Sequence, residues 1–363
     1  MGSLRFAFVV GVALVACGGG KPPPKAAAVA TKESASPPRK PEAPKAQPYA
    51  PGALPSDVGS PFVKGERSSR LGVPLPKGKP REAWTAEIDP KTDPAFLLTA
   101  GTRIVVVGRK GRYAIVDTKG FSVASGSLDG ERVDRARVDA EAGTLANGGT
   151  KLVSLGDGSE SDVLPTERSA APDLPPSAHA ATHGDATIYA NGNALEVKDP
   201  DGVRQIIQGA FDILDIAVDD EGVAYAIIKQ GKKGELSLWI TPIRGGSIGR
   251  VKLPAGKRER LAVPPIVGKA VRIFVYDDRV VGMAPEGKTL WEKRGALTGG
   301  ATLTADDRLL VASDDKVQIL ESASGKSIDT AQAKGVVLLT PPILVSTMLV
   351  VASGSKLHAF TFD

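Results

Sequence analysis

Pro341-Pro342-Ile343-Leu344, Met348-Leu349-Val350-Val351-Ala352-Ser353, a turn at Gly354-Ser355, and Leu357-His358-Ala359-Phe360 form the stretch that decides the fold. Short aliphatic and β-branched runs bounded by Gly, Pro, Asp or Ser read as strands joined by hairpins. The same order stands twice more upstream. One copy runs through Ala301-Thr302-Leu303, Asp307 to Ser313, Asp314-Asp315, Val317-Gln318-Ile319-Leu320 and Ser324-Gly325-Lys326-Ser327. The other runs through Pro264-Pro265-Ile266-Val267, Arg272 to Tyr276, Asp277-Asp278, Val280 to Met283 and Gly287-Lys288-Thr289-Leu290-Trp291.

With Ile266, Leu303 and Ile343 taken as equivalent, the spacings are 37 and 40 residues. Four strands of about five or six residues with their turns fill about forty positions, the size of one propeller blade. Looser copies lie at Phe96-Leu97-Leu98 with Arg103 to Val107 and Tyr113 to Asp117, and at Gly143-Thr144-Leu145 with Lys151 to Leu155. Others lie at Thr187 to Ala190 with Ala194 to Val197, and at Ile216 to Val218 with Val223 to Ile228. The expected fold class is all-β, a propeller of four-stranded blades. Seven units are counted, and six or eight are the alternatives. To close the ring, either the strand near Trp84 completes the last blade or the strand Leu357 to Phe362 completes the first. Residues 157–185, rich in Gly, Ser and Pro, read as a long inter-strand loop.

These units resemble the repeat of pyrroloquinoline-quinone-like propellers: a Pro-Pro-aliphatic first strand, a Leu-Val-Val-Ala-Ser strand, a tight turn, an aliphatic strand, then Gly-Lys and Leu-Trp. Trp291 matches the tryptophan of that repeat, and Trp84 is a second candidate. Quinone dehydrogenases of this type use a calcium site, a catalytic aspartate and a vicinal disulfide. The chain has one cysteine, so no disulfide forms within it, and no bound quinone is expected.

That cysteine is Cys17. Arg5 precedes an apolar run, Phe6 to Val15, that suits a secretory signal and falls short of the ~20 residues of a membrane span. The run ends in Leu14-Val15-Ala16-Cys17, which resembles the lipobox of bacterial lipoproteins. The resemblance implies a signal peptide over 1–16, cleavage before Cys17 and acylation of that cysteine. Gly18 stands where an aspartate retains enteric lipoproteins in the inner membrane, so outer-membrane sorting is expected.

Residues 18–80 hold 14 of the 28 prolines and 11 Lys and Arg against 4 acids. With so little apolar surface to bury, 17–80 reads as a lipidated, disordered linker and 81–363 as the propeller. Residues 81–363 carry 34 basic and 37 acidic side chains, so the basic pI of about 9.1 belongs to the linker. Nucleic-acid binding is therefore not expected.

Candidate chemistry is sparse. His179 and His183 would share a helix face, but they stand in a Pro-rich stretch. The pairs Asp219-Asp220, Asp277-Asp278, Asp306-Asp307 and Asp314-Asp315 flank apolar runs, where Asp caps its own turn. Gly245-Gly246-Ser247-Ile248-Gly249 has the letters of a nucleophile elbow, but strand patterns flank it on both sides where the elbow needs a following helix. No catalytic, cofactor-binding or metal residues are expected; the one site residue is the lipidated Cys17. The lipid anchor, linker and propeller together are similar to the propeller lipoprotein of the outer-membrane barrel-assembly machinery. That resemblance implies a non-catalytic scaffold in the cell envelope with protein partners. The rivals are a propeller enzyme (lyase, hydrolase or quinone dehydrogenase) and a small-ligand or envelope-polymer binding module.

Overall fold

In the run Ile104-Val105-Val106-Val107 every side chain is buried, but successive residues enter different cores. Ile104 and Val106 pack with Ile343, Val350 and Leu357, whereas Val105 and Val107 pack with Val138, Leu145 and Val153. A strand sends alternate side chains to opposite faces, so an unbroken apolar run means a sheet covered on both sides. The computed structural model describes residues 45–48, 50, 71–128, 136–139, 141–146, 151–162, 180–231, 234–254 and 265–363. The signal segment, Cys17, most of the linker and His179 lie outside the described residues.

The described strands form seven antiparallel four-stranded sheets. Six are built from consecutive strands and are numbered here as blades 1 to 6, beginning at Pro94–Ala100, Arg137–Asp139, Ala180–His183, Phe211–Val218, Ile266–Val267 and Gly300–Leu303. Blade 7 takes Ile343–Val345, Met348–Ala352 and Lys356–Phe362, and its outermost strand is Pro80–Glu87 from the other end of the chain. Pro80 lies opposite Phe362 and Glu87 opposite Lys356. Of the two closures open to the sequence, the strand carrying Trp84 completes the last blade. First strands of neighbouring blades touch, as in blades 3 and 4, and those of blades 1 and 7 also meet. The chain is a seven-bladed β-propeller.

Six apolar clusters each join two consecutive blades: 1 with 2, 3 with 4, 4 with 5, 5 with 6, 6 with 7, and 7 with 1. Blades 1, 4, 5, 6 and 7 thus bury apolar side chains on both sheet faces, which supplies cohesion at about 25 cal/mol per Å² of apolar area.

One equivalence read from the sequence is displaced by a residue. Ile266 pairs with Ile273 and Ile343 with Val350, each facing the next blade. In blade 6 the residue in that place is Thr302, which pairs with Leu310; its hydroxyl donates to the Pro342 carbonyl of blade 7 at 2.8 Å. Leu303 instead faces blade 5. A one-residue offset in a strand exchanges faces, and the polar Thr302 hid the true register.

Two further differences concern boundaries. Within 157–185, Glu160–Asp162 and Ala180–His183 are strands, and residues 163–179 lie outside the described part. Residues 71–79, assigned to the linker by composition, pack on the propeller: Leu71 is fully buried in the cluster between blades 6 and 7. Its N–H donates to the Leu303 carbonyl at 2.6 Å. The Gln47 backbone N–H donates to Asp117 Oδ2 at 2.7 Å, so part of 45–50 also rests on blade 1.

Candidate functional site

Antiparallel connectivity divides the turns between two faces of the ring. Turns joining first to second and third to fourth strands share one face. Turns joining second to third strands share the other face with the connections between blades.

On the first face, five junctions share a contact at a recurring position. Trp84 Nε1 donates to the Thr118 carbonyl at 3.1 Å, and Trp291 Nε1 to the Ser322 carbonyl at 2.8 Å. Thr118 and Ser322 are the first residues after the third strands of blades 1 and 6, Arg112–Asp117 and Lys316–Glu321. Between blades 3 and 4 the guanidinium of Arg204 donates to the corresponding carbonyl, that of Ile243. Each indole covers a turn glycine of the next blade. A Cβ on Gly120 would stand 2.9 Å from the Trp84 ring, and one on Gly325 2.7 Å from the Trp291 ring; both glycines have positive φ, +89° and +68°. Only glycine tolerates that backbone and that proximity together. Ala124 against Gly158 and Val251 against Gly287 repeat the contact with smaller side chains.

The backbone that aims these residues also recurs. The outer strands of blades 1, 5, 6 and 7 each carry a β-bulge, at Val123, Leu290, Ile328 and Ala83, one residue before Ala124, Trp291, Asp329 and Trp84. A bulge inserts one residue and redirects the side chains beside it. It turns the inserted residue outward, which accounts for Leu290 and Ile328 being 47% and 49% exposed. The Gly-Lys-x-x-Trp pattern held this signal only where the docking residue is tryptophan.

A second bridge joins blades 4 and 5. The Arg272 guanidinium lies 4.9 Å from the Tyr225 ring centroid and donates to its hydroxyl at 2.9 Å; that hydroxyl donates to Asp219 Oδ2 at 2.9 Å. Burial pushes the Tyr225 phenol up to about 12, against the opposing pull of Arg272. The group keeps its proton at neutral pH and serves as a fixed hydrogen-bond link. Arg103 performs a similar task between blades 1 and 2, its Nε donating to the Leu155 carbonyl at 2.7 Å.

The acidic pairs lie in turns on both faces. Asp219 caps its turn by accepting from the Glu221 and Val223 N–H groups at 3.0 and 2.8 Å. The carbonyls of Asp277 and Asp278 accept from Leu297 and Gly295, and those of Asp314 and Asp315 from Leu338 and Ala333. The second pair therefore repeats the structural task of the first, one blade further on. Asp307 and Asp314 adopt the left-handed backbone with φ of 58° and 50°. Gly245 and Gly246 form a turn that leads into the strand Gly249–Lys252, so Ser247 is not on an elbow before a helix.

His183 ends the first strand of blade 3, and a Cβ on Gly222 of blade 4 would meet its ring at 3.1 Å. His358 belongs to blade 7, where its Nδ1 stands 3.2 Å from Glu82 Oε1. The two histidines are in separate blades. Among the described residues no three His, Cys, Asp or Glu side chains are grouped to hold a metal. A cleft of about 240 Å³ opens between blades 5 and 6, with Lys269, Asp306, Asp307, Arg308, Glu321 and Ser322 in its wall. Its size is below the ~300 Å³ at which drug-sized ligand pockets begin, and charges of both signs line it.

No family model and no curated protein matches the sequence. Among solved structures, BamB from Moraxella catarrhalis is similar at 14% identity and a TM-score of 0.44, over 78% of this chain and 100% of that one. A streptogramin B lyase aligns at 12% identity and a TM-score of 0.47, over 77% of this chain and 98% of the lyase. The WD40 β-propeller domain of Doa1 aligns at 12% identity and 0.49, over 79% of this chain and 98% of the domain.

Proposed function

We propose that this chain is a lipid-anchored, non-catalytic protein-interaction scaffold of the bacterial cell envelope. In this reading, acyl chains on Cys17 hold it to the outer membrane and the propeller faces the periplasm. The observation that carries it is the pairing of a lipobox cysteine and Pro-rich linker with a closed propeller whose acidic pairs are engaged in turns. Two or more acyl chains hold durably, at about 0.8 kcal/mol per buried CH₂. Because Gln47 is already bonded to blade 1, the free linker runs from Cys17 to about Lys45 and would let the anchored propeller reach partners at roughly 30 Å as a flexible coil, and further where prolines extend it. Seven rigid blades then offer two broad faces and an outer rim, surfaces suited to protein docking.

Fractionation and in-cell crosslinking test the proposal. Cys17→Ser should move the protein from the membrane to the soluble fraction without changing the melting of the propeller; continued membrane retention would count against the anchor. Crosslinking followed by mass spectrometry should capture an envelope protein. Peptidoglycan fragments instead would favour a polymer-binding module. Stoichiometric uptake of calcium and quinone by the purified chain would favour an enzyme.

A further inference from the structure

Residues Leu71–Lys79 cross the junction of blades 6 and 7 outside the four strands of either, meeting the closing ladder only where Lys79 pairs with Asp363. We propose that they form a latch, a strap that seats on this junction and leaves it as a unit while both blades stay intact.

Five hydrogen bonds seat the strap. Leu71 donates to the Leu303 carbonyl at 2.6 Å, Ala305 donates to the Val73 carbonyl at 2.9 Å, and Leu75 donates to Asp306 Oδ1 at 2.9 Å. Lys79 and Asp363 exchange the other two at 3.0 and 3.2 Å. Burial alternates along the strap: Leu71 is wholly enclosed, Val73 and Leu75 are partly buried, and Gly72 and Pro74 face solvent. Leu71 belongs to the apolar cluster that includes Leu310, Leu338, Leu344 and Phe360.

Three features make the strap separable. Blades 6 and 7 each have four strands without it, so its departure breaks none of their ladders beyond the Lys79–Asp363 pair that extends the end of the closing strand. One enclosed leucine and five hydrogen bonds are set against the ordering of nine residues, a small balance even with Pro74 and Pro76 limiting the free chain. Segments with few enclosed apolar side chains open below the global unfolding free energy. At the far end, Gly78 has φ +113°, and a Cβ there would lie 2.3 Å from the Asp363 carbonyl oxygen, so the strap turns into strand Pro80–Glu87 at a point only glycine fits.

A pull on the upstream chain that frees Gln47 and Ala50 from blade 1 next meets the 6–7 junction at the latch. That role in relieving tension rests on the anchoring proposed above. The independent opening does not, and it is tested in solution without lipid.

Hydrogen–deuterium exchange on the full chain reads the opening directly. The amides of Leu71, Leu75 and Ala305 should exchange together and at least 100-fold faster than the ladder amides of Leu310 and Val350. Leu71→Asp should bring the three to the rate of an open chain and leave the ladder amides unchanged within twofold. Asp306→Ala, which removes one acceptor and keeps the buried leucine, should speed Leu75 with no effect on the ladders. Strap and ladder amides exchanging at one rate, either variant raising ladder exchange, or a Leu71→Asp chain that does not fold would each overturn the proposal.

Discussion

The indole of Trp84 donates to the Thr118 carbonyl at 3.1 Å across the junction where the ring closes, in the manner of Trp291 with Ser322. The two tryptophans lie on the outer strands of blades 7 and 5, each behind a bulged residue. Trp291 is 9% exposed and Trp84 more open. Trp291→Ala should therefore cost about 3–5 kcal/mol and Trp84→Ala about 2–3 kcal/mol, from lost packing and an orphaned carbonyl. Urea unfolding of the purified variants checks the order, and a larger loss at Trp84 would contradict it.

The glycines under the indoles give a sharper contrast. Gly325→Ala forces a Cβ to within 2.7 Å of the Trp291 ring at a φ of +68°, whereas Gly335 has φ +77° and nothing within 4 Å of the added atom. Gly335→Ala should cost about 1 kcal/mol from backbone conformation alone, and Gly325→Ala about 2–4 kcal/mol because crowding adds to it. Equal losses in thermal melts would show that the indole does not press on the turn.

Alkaline titration reads the bridge between blades 4 and 5. The Tyr225 phenol is raised from 10.0 to about 12, so its contribution to stability is complete below pH 10 and is lost as pH rises through about 12. Denaturant midpoints of the native chain should fall over that window. Tyr225→Phe should flatten part of the fall, and an unchanged profile would mean that the phenol does not link the blades.

Removal of the closing strand tests the topology. Deletion through Glu87 leaves blade 7 with three strands and takes away the partner of Lys356–Phe362. The product should lose its single cooperative melt and expose strand edges that associate. Deletion through residue 44 should retain the native melt. Light scattering and calorimetry on the two truncations distinguish them.

Repeat length and blade number were legible because most of the sheets bury both faces, as Leu349-Val350-Val351 illustrates by feeding two cores in turn. Legibility failed where that signal is absent. Glu160–Asp162 has three exposed residues and no aliphatic run, so it read as loop. Thr302 is buried but polar, and its neighbour Leu303 took its place in the alignment. The docking position was visible at Trp291 and obscured at Ala124, because the contact there is made by a side chain with no distinctive chemistry. Nothing in the sequence marked Arg103 and Arg272 as bridging residues, because the partners that link blades, the Leu155 carbonyl and the Tyr225 hydroxyl, belong to neighbouring blades. The packing of residues 71–79 was hidden by composition: proline content marks a segment as extended but does not decide whether an extended segment stays in solvent.

The pairing of Pro80–Glu87 with Lys356–Phe362 fixes an order of events during biogenesis. Glu82 and His358, in contact in the finished ring, are 276 residues apart in sequence. Pro80–Glu87 must therefore wait until the third strand of blade 7 has been made. Until then Pro80–Glu87 lacks its partner, and once Lys356–Phe362 has been made each of the two edges can pair with another copy as well as with its own. Contacts of such separation also slow the final step of folding. Pairing of these two strands with each other before either edge finds a foreign strand is a condition of reaching the closed ring.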